Sequence, residues 1–185
     1  MPVTILHLSD IQYGRHHVDG KETREPLYPD ADYSPQLEKL IADLKMLEGK
    51  GVRPDCIVVT GDIAEWSKKK EYEEAERFLG GIVDYLGIER RFVVMVPGNH
   101  DVNRNICKSA RLDAVEEDEP FHPPYFEKFR YYKAFFDRFY ESASFPDSIR
   151  PYRFSRENLF VNFCFPENGI ARSEEHTSEL QSLLI

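Results

Sequence analysis

The segment Phe92-Val-Val-Met-Val-Pro-Gly-Asn-His-Asp101 gives the clearest indication of fold in this chain of 185 residues. Its first five residues form a continuous apolar run, and Pro97-Gly98 then leads into three polar side chains. An apolar run of this length without alternation predicts a strand that is buried on both faces. Asparagine, histidine and aspartate directly after such a strand predict a ligand site at its carboxyl end.

Two earlier segments repeat this arrangement. Thr4-Ile-Leu-His-Leu-Ser-Asp10 is a short apolar run that delivers Asp10 at its end, and Cys56-Ile-Val-Val-Thr60 leads into Gly61-Asp62. Because ligands of open α/β sheets bind beyond the carboxyl ends of the strands, we expect these polar residues to converge. Carboxylate, amide and imidazole ligands suit a divalent cation, and more than one carboxylate suits two cations.

Amphipathic helices are predicted between these strands. Ser34-Pro35 is a good N-cap and first-turn pair, and apolar residues then recur at helical spacing from Leu37 to Leu47. A second helix is predicted from about Lys68 to Leu86, with its apolar residues on one side. Strand and helix alternate with short connections, which predicts an α/β fold that begins as βαβαβ with a parallel sheet and right-handed crossovers.

The pattern changes after Asp101. Residues 113–120 are acidic, and the aromatic-rich segment Tyr125–Glu141 predicts a helix. Its aromatic side chains are interpreted as the core face of that helix, with a base-stacking platform as the alternative; they are Phe129, Tyr132, Phe136 and Phe139. Residues 152–154 and 159–165 predict two further strands around a turn at 156–158.

Composition excludes several classes of protein. Three widely spaced cysteines with no CxxC pair exclude a disulfide scaffold and a zinc ribbon. The 24 basic against 33 acidic residues, a net charge of −9, argue against broad electrostatic binding to nucleic acid. A phosphate substrate is still allowed, because bound cations invert the local field. No apolar run approaches the ~20 residues of a membrane helix, and no basic leader precedes the first strand, so we expect a cytoplasmic protein without a membrane partner.

Three segments together resemble the motifs of the calcineurin-like metallophosphoesterase family: Leu6-His-Leu-Ser-Asp-Ile-Gln12, Val59-Thr-Gly-Asp-Ile63 and Val96-Pro-Gly-Asn-His-Asp101. The resemblance covers most of residues 3–104, and Gly-Asn-His-Asp after an apolar strand is its most specific element. It implies a hydrolase that cleaves a phosphoester with water activated by two divalent metal ions. It also implies an α/β/β/α sandwich, of which this chain contains the N-terminal half with a helical, aromatic-rich insertion at about residues 105–150.

The same resemblance assigns roles to individual residues. Asp10 would bind the first metal ion, Asp62 would bridge both ions, and Asn99 would bind the second ion through its amide oxygen and also contact substrate. His100 would face the substrate as hydrogen-bond donor or general acid, and Asp101 would orient His100. The metal ions are expected to be Mn²⁺, with Mg²⁺, Fe²⁺ and Zn²⁺ as alternatives. Arg104, close behind this motif, is a candidate phosphate ligand.

Gln12 departs from the family pattern, which has histidine at this position. Gln12 could bind a metal ion through its carbonyl oxygen, which would shift the first site toward Mn²⁺ or Mg²⁺ and away from zinc. His16 or His17 could substitute for the histidine instead. In the third reading the first site is weak and the protein is a degenerate member of the family.

The C-terminal part of the sequence lacks the histidines that the family motifs would lead us to expect. The family completes its site with later histidines, but this chain has none between His122, which is interpreted as loop surface, and His176. Residues 172–182 resemble the translation of a sequencing adapter, with a natural helix capped by Ser173 as the alternative. We therefore expect a truncated domain over 1–171, a non-native tail over 172–185, and further C-terminal sequence in the parent protein.

The sequence thus predicts a metal-dependent phosphoesterase, present here as an inactive fragment that holds about half of the site. A phosphodiester substrate, either a nucleotide or a nucleic acid, is favoured over a phosphoprotein by similarity to phosphodiesterase and nuclease members of the family. The alternative is a degenerate module of the same fold that binds a partner or a nucleotide without catalysis.

Overall fold

The structure, a computed structural model, describes residues 3–14, 34–117, 126–147, 151–156, 161–165 and 170–174. In chain order the elements are β1 (Ile5–Leu8), α1 (Ser34–Glu48), β2 (Cys56–Thr60), α2 (Lys69–Leu86), β3 (Val93–Val96), α3 (Arg104–Glu116), α4 (Arg130–Glu141), β4 (Val161–Phe165) and β5 (Ile170–Glu174), with short 3₁₀ turns at Arg90–Phe92 and Glu127–Phe129. Strands β1, β2 and β3 form a parallel sheet in that spatial order, and β4 pairs with β5 antiparallel. The predicted α/β fold with a βαβαβ start is confirmed.

The two faces of the parallel sheet are buried to different degrees. Leu6 lies beside Ile57, and Val59 lies beside Met95, so these side chains share one face. On that face Ile57, Val59 and Met95 are fully buried in the hydrophobic core. On the other face Ile5 is 49% exposed and Thr60 is exposed, whereas Cys56 and Val94 are buried. Within the described ranges, the core therefore lies mainly on one side of the sheet.

The helices between the strands follow the sequence prediction closely. Helix α1 begins at Ser34 as expected, and α2 begins at Lys69, one residue after the predicted start. Helix α2 ends at Gly87, which adopts a left-handed conformation with φ of 62° and donates its N–H back to the last turn. Helix α3 lies in the predicted helical insertion at about residues 105–150, although its own bounds were not predicted, and none of its residues is buried.

The aromatic residues of α4 form the core of the molecule beside β3. Tyr132, Phe135, Phe136 and Phe139 are at most 1% exposed, so the interpretation as a core face is confirmed and the base-stacking platform is excluded. Three tyrosine hydroxyls also donate to alternate backbone carbonyls along one edge of the sheet, Tyr152 to Arg91, Tyr140 to Val93 and Tyr132 to Met95. In the described part of the chain, these three backbone carbonyls are therefore satisfied by tyrosine hydroxyls.

The C-terminal prediction was partly wrong. Residues 152–154 belong to no strand, because Tyr152 and Phe154 are buried against the aromatic side chains of α4 and its neighbours. The antiparallel pair is instead β4 with β5, and the predicted strand residues 159 and 160 lie outside the described ranges. The described part of the tail, through Glu174, continues strand β5, so it does not begin a helix at Ser173.

Several predicted features lie outside the described residues: His16, His17, His122, His176 and the tail from 175 to 185. None of the helices that the structure describes is long and apolar enough to span a bilayer.

Candidate active site

The loops that follow β1 and β2 are joined to each other by backbone hydrogen bonds. The N–H of Gln12 donates to the carbonyl of Asp62 at 2.8 Å, and Tyr13 donates to Ile63 at 2.9 Å. The N–H of Glu65 then donates to the carbonyl of Tyr13 at 2.8 Å. Because all three sheet strands are parallel, this pairing lies at the carboxyl edge of the sheet, where the sequence predicts a site.

Candidate metal ligands at this edge adopt an unusual backbone conformation. Asp10, Gln12 and Asp62 have φ values of 53°, 49° and 51°, in the left-handed region that side chains rarely adopt. Ser67 is the one other non-glycine residue with positive φ among those that the structure describes. Backbone strain of this kind costs of order 1–3 kcal/mol per residue and persists where the surrounding structure imposes it, often at functional sites.

Two glycines allow the turns after β2 and β3 to approach each other closely. A Cβ atom at Gly61 would lie 2.8 Å from the Cα of Gly98. A Cβ atom at Gly98 would lie 2.1 Å from Oδ1 and 2.4 Å from the backbone nitrogen of Asp62. Real Cβ atoms do not make contacts this short, so both positions require glycine to keep Asp62 where it is.

His100 is held by groups from the loop after β2. Its backbone N–H donates to Oδ1 of Asp62 at 2.9 Å. Its ring Nδ1 lies 2.9 Å from the carbonyl oxygen of Glu65 and 3.5 Å from a carboxylate oxygen of the same residue. A carbonyl oxygen can only accept, so Nδ1 carries the proton in this hydrogen bond and Nε2 is left to face a substrate.

Glu65 was missed by the sequence analysis, although it is only 7% exposed and contacts the predicted catalytic histidine. A signal was present, since a carboxylate at the third position after Gly61-Asp62 lies on a loop already assigned to the site. Sequence spacing alone does not show which way such a side chain points.

The hydrogen bonds that the structure shows for Asp101 do not include one to His100, and its predicted role of orienting that histidine stays a prediction. Its carboxylate is completely buried. It accepts hydrogen bonds from the N–H groups of Ile63, Ala64 and Gly98 at 3.2, 3.0 and 2.8 Å, and from the Tyr72 hydroxyl at 2.9 Å. Asp101 thus ties the loop after β2 to the loop after β3.

Burial also changes the acidity of this carboxyl group. It raises the pKa of Asp101 from the ordinary value of 3.8 to about 6, although the four hydrogen bonds act in the opposite direction. Burial likewise raises the pKa of Glu71, whose carboxylate accepts from the N–H groups of Trp66 and Lys68. Both buried carboxylates therefore serve to shape the loops around the candidate site.

The donors at the strand ends are oxygen atoms. Asp62 accepts the His100 N–H with Oδ1. Asp10 is exposed, and Gln12 and Asn99 are partly exposed. Carboxylate and amide oxygens fit a hard divalent cation such as Mn²⁺ or Mg²⁺.

This donor set is not a complete metal centre. Across the residues that the structure describes, no group of three or more His, Cys, Asp or Glu side chains is arranged to hold a metal ion. The predicted set contains only two such residues, Asp10 and Asp62, because its other members are amides. Arg104, the candidate phosphate ligand, begins α3 and is exposed.

Comparison with known proteins identifies the family. A family model described as Calcineurin-like phosphoesterase matches residues 3–172. The chain is a calcineurin-like phosphoesterase. Members of this family act on phosphoester substrates and generally use divalent metal ions, and the strand-end motifs described above belong to the matched region.

Three curated relatives are similar to parts of this calcineurin-like phosphoesterase. The uncharacterized metallophosphoesterase-like protein YydB of Bacillus subtilis (strain 168) is 36% identical over 116 residues, 62% of this chain and 21% of YydB. The cAMP/cGMP dual specificity phosphodiesterase MT0825 of Mycobacterium tuberculosis (strain CDC 1551 / Oshkosh) is 35% identical over 104 residues, 56% of this chain and 29% of that protein. The glycerophosphodiester phosphodiesterase GpdQ of Enterobacter lignolyticus (strain SCF1) is 36% identical over 58 residues, 31% of this chain and 18% of GpdQ. The matched regions cover less than a third of each relative.

Proposed function

We propose that this chain carries the first half of the active centre of a metal-dependent phosphodiesterase. The proposal rests on one observation: the residues predicted to bind metal ions are also the residues with strained backbone conformations. Three of the four non-glycine residues with positive φ in the described ranges are Asp10, Gln12 and Asp62, which the family motifs mark as metal ligands. Strain retained at the ends of neighbouring strands is expected where side chains must converge on a ligand.

Asp10, Gln12, Asp62 and Asn99 would hold two divalent cations, with Mn²⁺ as the preferred ion. When bound, such cations lower the pKa of a water molecule and offset the charge that develops on the phosphoryl group. The reaction is hydrolysis by water, without a covalent enzyme intermediate. Asp62 has a further role, because its Oδ1 accepts from the backbone N–H of His100 and so fixes the position of the histidine relative to the ligands.

His100 is the proposed general acid. The carbonyl of Glu65 fixes the ring orientation through Nδ1, and a Glu65 carboxylate oxygen lies 3.5 Å from the same nitrogen, so a doubly protonated ring would carry its second proton on Nε2. The proton on Nε2 is then available to the leaving-group oxygen of the phosphoester. Asp101 does not take part in this transfer, but it holds the two loops that carry His100 and Glu65.

A phosphodiester is the proposed substrate class, supported by two relatives whose names state phosphodiesterase activity. We further propose that the chain in hand turns over substrate poorly, because its donors make up only part of a two-metal centre. Reading the source gene past codon 171 tests this part: an isolated histidine followed by a His-x-His pair would supply the remaining donors, and a frame without them would contradict the two-metal proposal.

Activity is tested on the protein expressed from that extended frame. We expect Mn²⁺-stimulated hydrolysis of bis(p-nitrophenyl) phosphate that is lost in Asp62→Asn and in His100→Ala. Met46→Ala, at a 65% exposed position on α1, is the matched control and should retain activity. Full activity in both site variants would refute the assignment. Absence of metal uptake together with binding of a phosphate ligand would favour the alternative, a degenerate binding module for which Gln12 is the supporting feature.

A further inference from the structure

An exposed tryptophan lies beside the proposed catalytic histidine. Trp66 is the single tryptophan of the chain and is 50% exposed on the loop between β2 and α2. Its backbone nitrogen is bonded to the carbonyl carbon of Glu65, and the oxygen of that carbonyl lies 2.9 Å from His100 Nδ1. Standard bond lengths therefore place the Trp66 Cα at most about 7 Å from the histidine ring, given that 2.9 Å contact.

The loop that carries Trp66 is held firmly on both sides. The N–H groups of Trp66 and Lys68 donate to one carboxylate oxygen of Glu71 at 3.1 and 2.9 Å. The Ser67 hydroxyl donates to the carbonyl of Asp101 at 2.8 Å, and the Asn103 side chain donates to the carbonyl of Ser67 at 2.9 Å. A ligand that stacks on Trp66 would therefore lose little loop entropy on binding.

Trp66 is half exposed. Within the described part of the chain no ring contact is seen for Trp66, whereas the rings of α4 form a closely packed cluster. An exposed aromatic side chain on a firmly held loop beside the proposed catalytic histidine is suited to stacking against a nucleobase, which typically contributes ~1–3 kcal/mol per base.

Basic residues follow Trp66 directly, in a chain whose net charge is −9. Lys68, Lys69 and Lys70 are exposed at the start of α2. Lys68 and Lys69 also line a cavity of about 630 Å³, together with Arg130 and Tyr131. This volume is in the range of cavities that hold nucleotide-sized ligands.

The cavity also contains acidic groups. Asp113 and Glu127 are part of its lining. Glu127 is paired with Arg156, and Lys69 lies 3.7 Å from Glu73. The lining carries three basic residues, Lys68, Lys69 and Arg130, against these two acidic ones, a small positive balance that suits a phosphate group.

We propose that the substrate of this site is a short single-stranded oligonucleotide, with one base stacked on Trp66 and a neighbouring phosphate in the cavity lined by Lys68, Lys69 and Arg130. This inference rests on the proposed phosphodiesterase function and specifies its substrate. Stacking accepts any base, and the local basic group supplies the electrostatic attraction that the acidic chain as a whole lacks.

The fluorescence of Trp66 provides the test, because Trp66 is the single tryptophan of the chain. The 185-residue chain is titrated with inorganic phosphate, thymidine 5′-monophosphate and tetrathymidylate. We expect quenching by both nucleotides and not by phosphate, with tighter binding of tetrathymidylate. Binding of fluorescein-labelled tetrathymidylate, followed by anisotropy, should weaken about tenfold in Trp66→Ala, be partly retained in Trp66→Phe and be unchanged in Met46→Ala. In Lys69→Gln/Arg130→Gln, tetrathymidylate binding should become less sensitive to salt while mononucleotide binding is retained.

The outcomes separate this inference from the proposed function. Equal quenching by phosphate and nucleotide, or unchanged affinity in Trp66→Ala, overturns the inference even if bis(p-nitrophenyl) phosphate is hydrolysed in an Asp62-dependent way. Binding of the mononucleotide and the oligonucleotide with equal affinity also overturns it, because it points to a mononucleotide or cyclic nucleotide. Selective oligonucleotide binding without any Asp62-dependent hydrolysis supports the oligonucleotide site at Trp66 but overturns the catalytic proposal, and the oligonucleotide is then a ligand and not a substrate.

Discussion

Replacing Gly98 by alanine should displace a candidate metal ligand without introducing backbone strain. Gly98 is not among the glycines with positive φ, so alanine can adopt its backbone conformation. The new Cβ atom would lie 2.1 Å from Oδ1, 2.8 Å from Cγ and 2.4 Å from the backbone nitrogen of Asp62. Ordinary contacts begin near 3.4 Å, so Asp62 or the turn after β3 must move by about 1 Å.

The expected cost follows from that displacement. Overpacking of a rigid site typically costs 1–3 kcal/mol, so we expect Gly98→Ala to lower the free energy of unfolding by about 3 kcal/mol, since a backbone atom must move. Metal sites tolerate ligand displacements of only about 0.2 Å, so Mn²⁺ affinity should fall at least about tenfold. Urea unfolding measures the first effect, and calorimetric titration with Mn²⁺ measures the second.

Gly80 on α2 provides the matched control. A Cβ atom there would meet only the end of the Arg90 side chain, at 4.0 Å. Gly80→Ala should therefore raise the free energy of unfolding by about 0.5–1 kcal/mol through helix propensity, and it should leave Mn²⁺ affinity unchanged. If Gly98→Ala matches Gly80→Ala in both measurements, the close approach of the two turns is not what holds Asp62 in place.

The remaining predictions concern the buried carboxylate, the sheet edge and the divergent ligand. In metal-free protein, the free energy of unfolding should fall by about 3 kcal/mol as pH rises from about 4 to about 6, because the unfolded chain releases the Asp101 proton near 3.8 while the folded chain keeps it to about 6. Urea unfolding of Asp101→Asn should show no such fall. A pH profile in Asp101→Asn that is the same as in the wild-type chain would contradict the assignment of this pH dependence to Asp101. Tyr140→Phe removes the hydroxyl that donates to the Val93 carbonyl at 2.6 Å and should cost about 1–3 kcal/mol of unfolding free energy. Tyr85→Phe, whose partly exposed hydroxyl donates to Glu48, should cost less, and equal losses would argue against this role of the Tyr140 hydroxyl. Gln12→His should tighten Mn²⁺ binding and extend binding to Zn²⁺ in calorimetric titrations, and no change in either would show that Gln12 is not a ligand.

The regular elements were predictable because their signals are local. Unbroken β-branched runs gave β2 and β3, and helical spacing with a cap at Ser34 gave α1 within a residue of its observed bounds. The strand-end motifs also gave the edge of the sheet where Asp10, Asp62 and Asn99 lie, since parallel strands place their carboxyl ends together. These inferences need only the periodicity of the chain and the topology of the sheet.

Side-chain partnerships were less predictable, because they depend on how loops pack. The histidine of the third motif is held by Glu65 from a different loop, and the Asp101 carboxylate joins two backbone segments. The sequence of residues 152–154 resembles a strand, but the aromatic side chains of this segment pack against α4 and the segment joins no sheet. Whether such a segment pairs with a sheet or packs against a helix depends on tertiary packing, which the local sequence does not determine.

The central claim is that the strand ends of this sheet bind a divalent cation through Asp62 and its neighbours, and calorimetric titration of the chain with Mn²⁺ tests it most directly. We predict measurable binding to the wild-type chain that is abolished in Asp62→Asn and retained in Met46→Ala, which alters a side chain that is 65% exposed on α1. Undetectable binding to the wild-type chain, or equal affinity in Asp62→Asn, would contradict the assignment of this edge as a metal site.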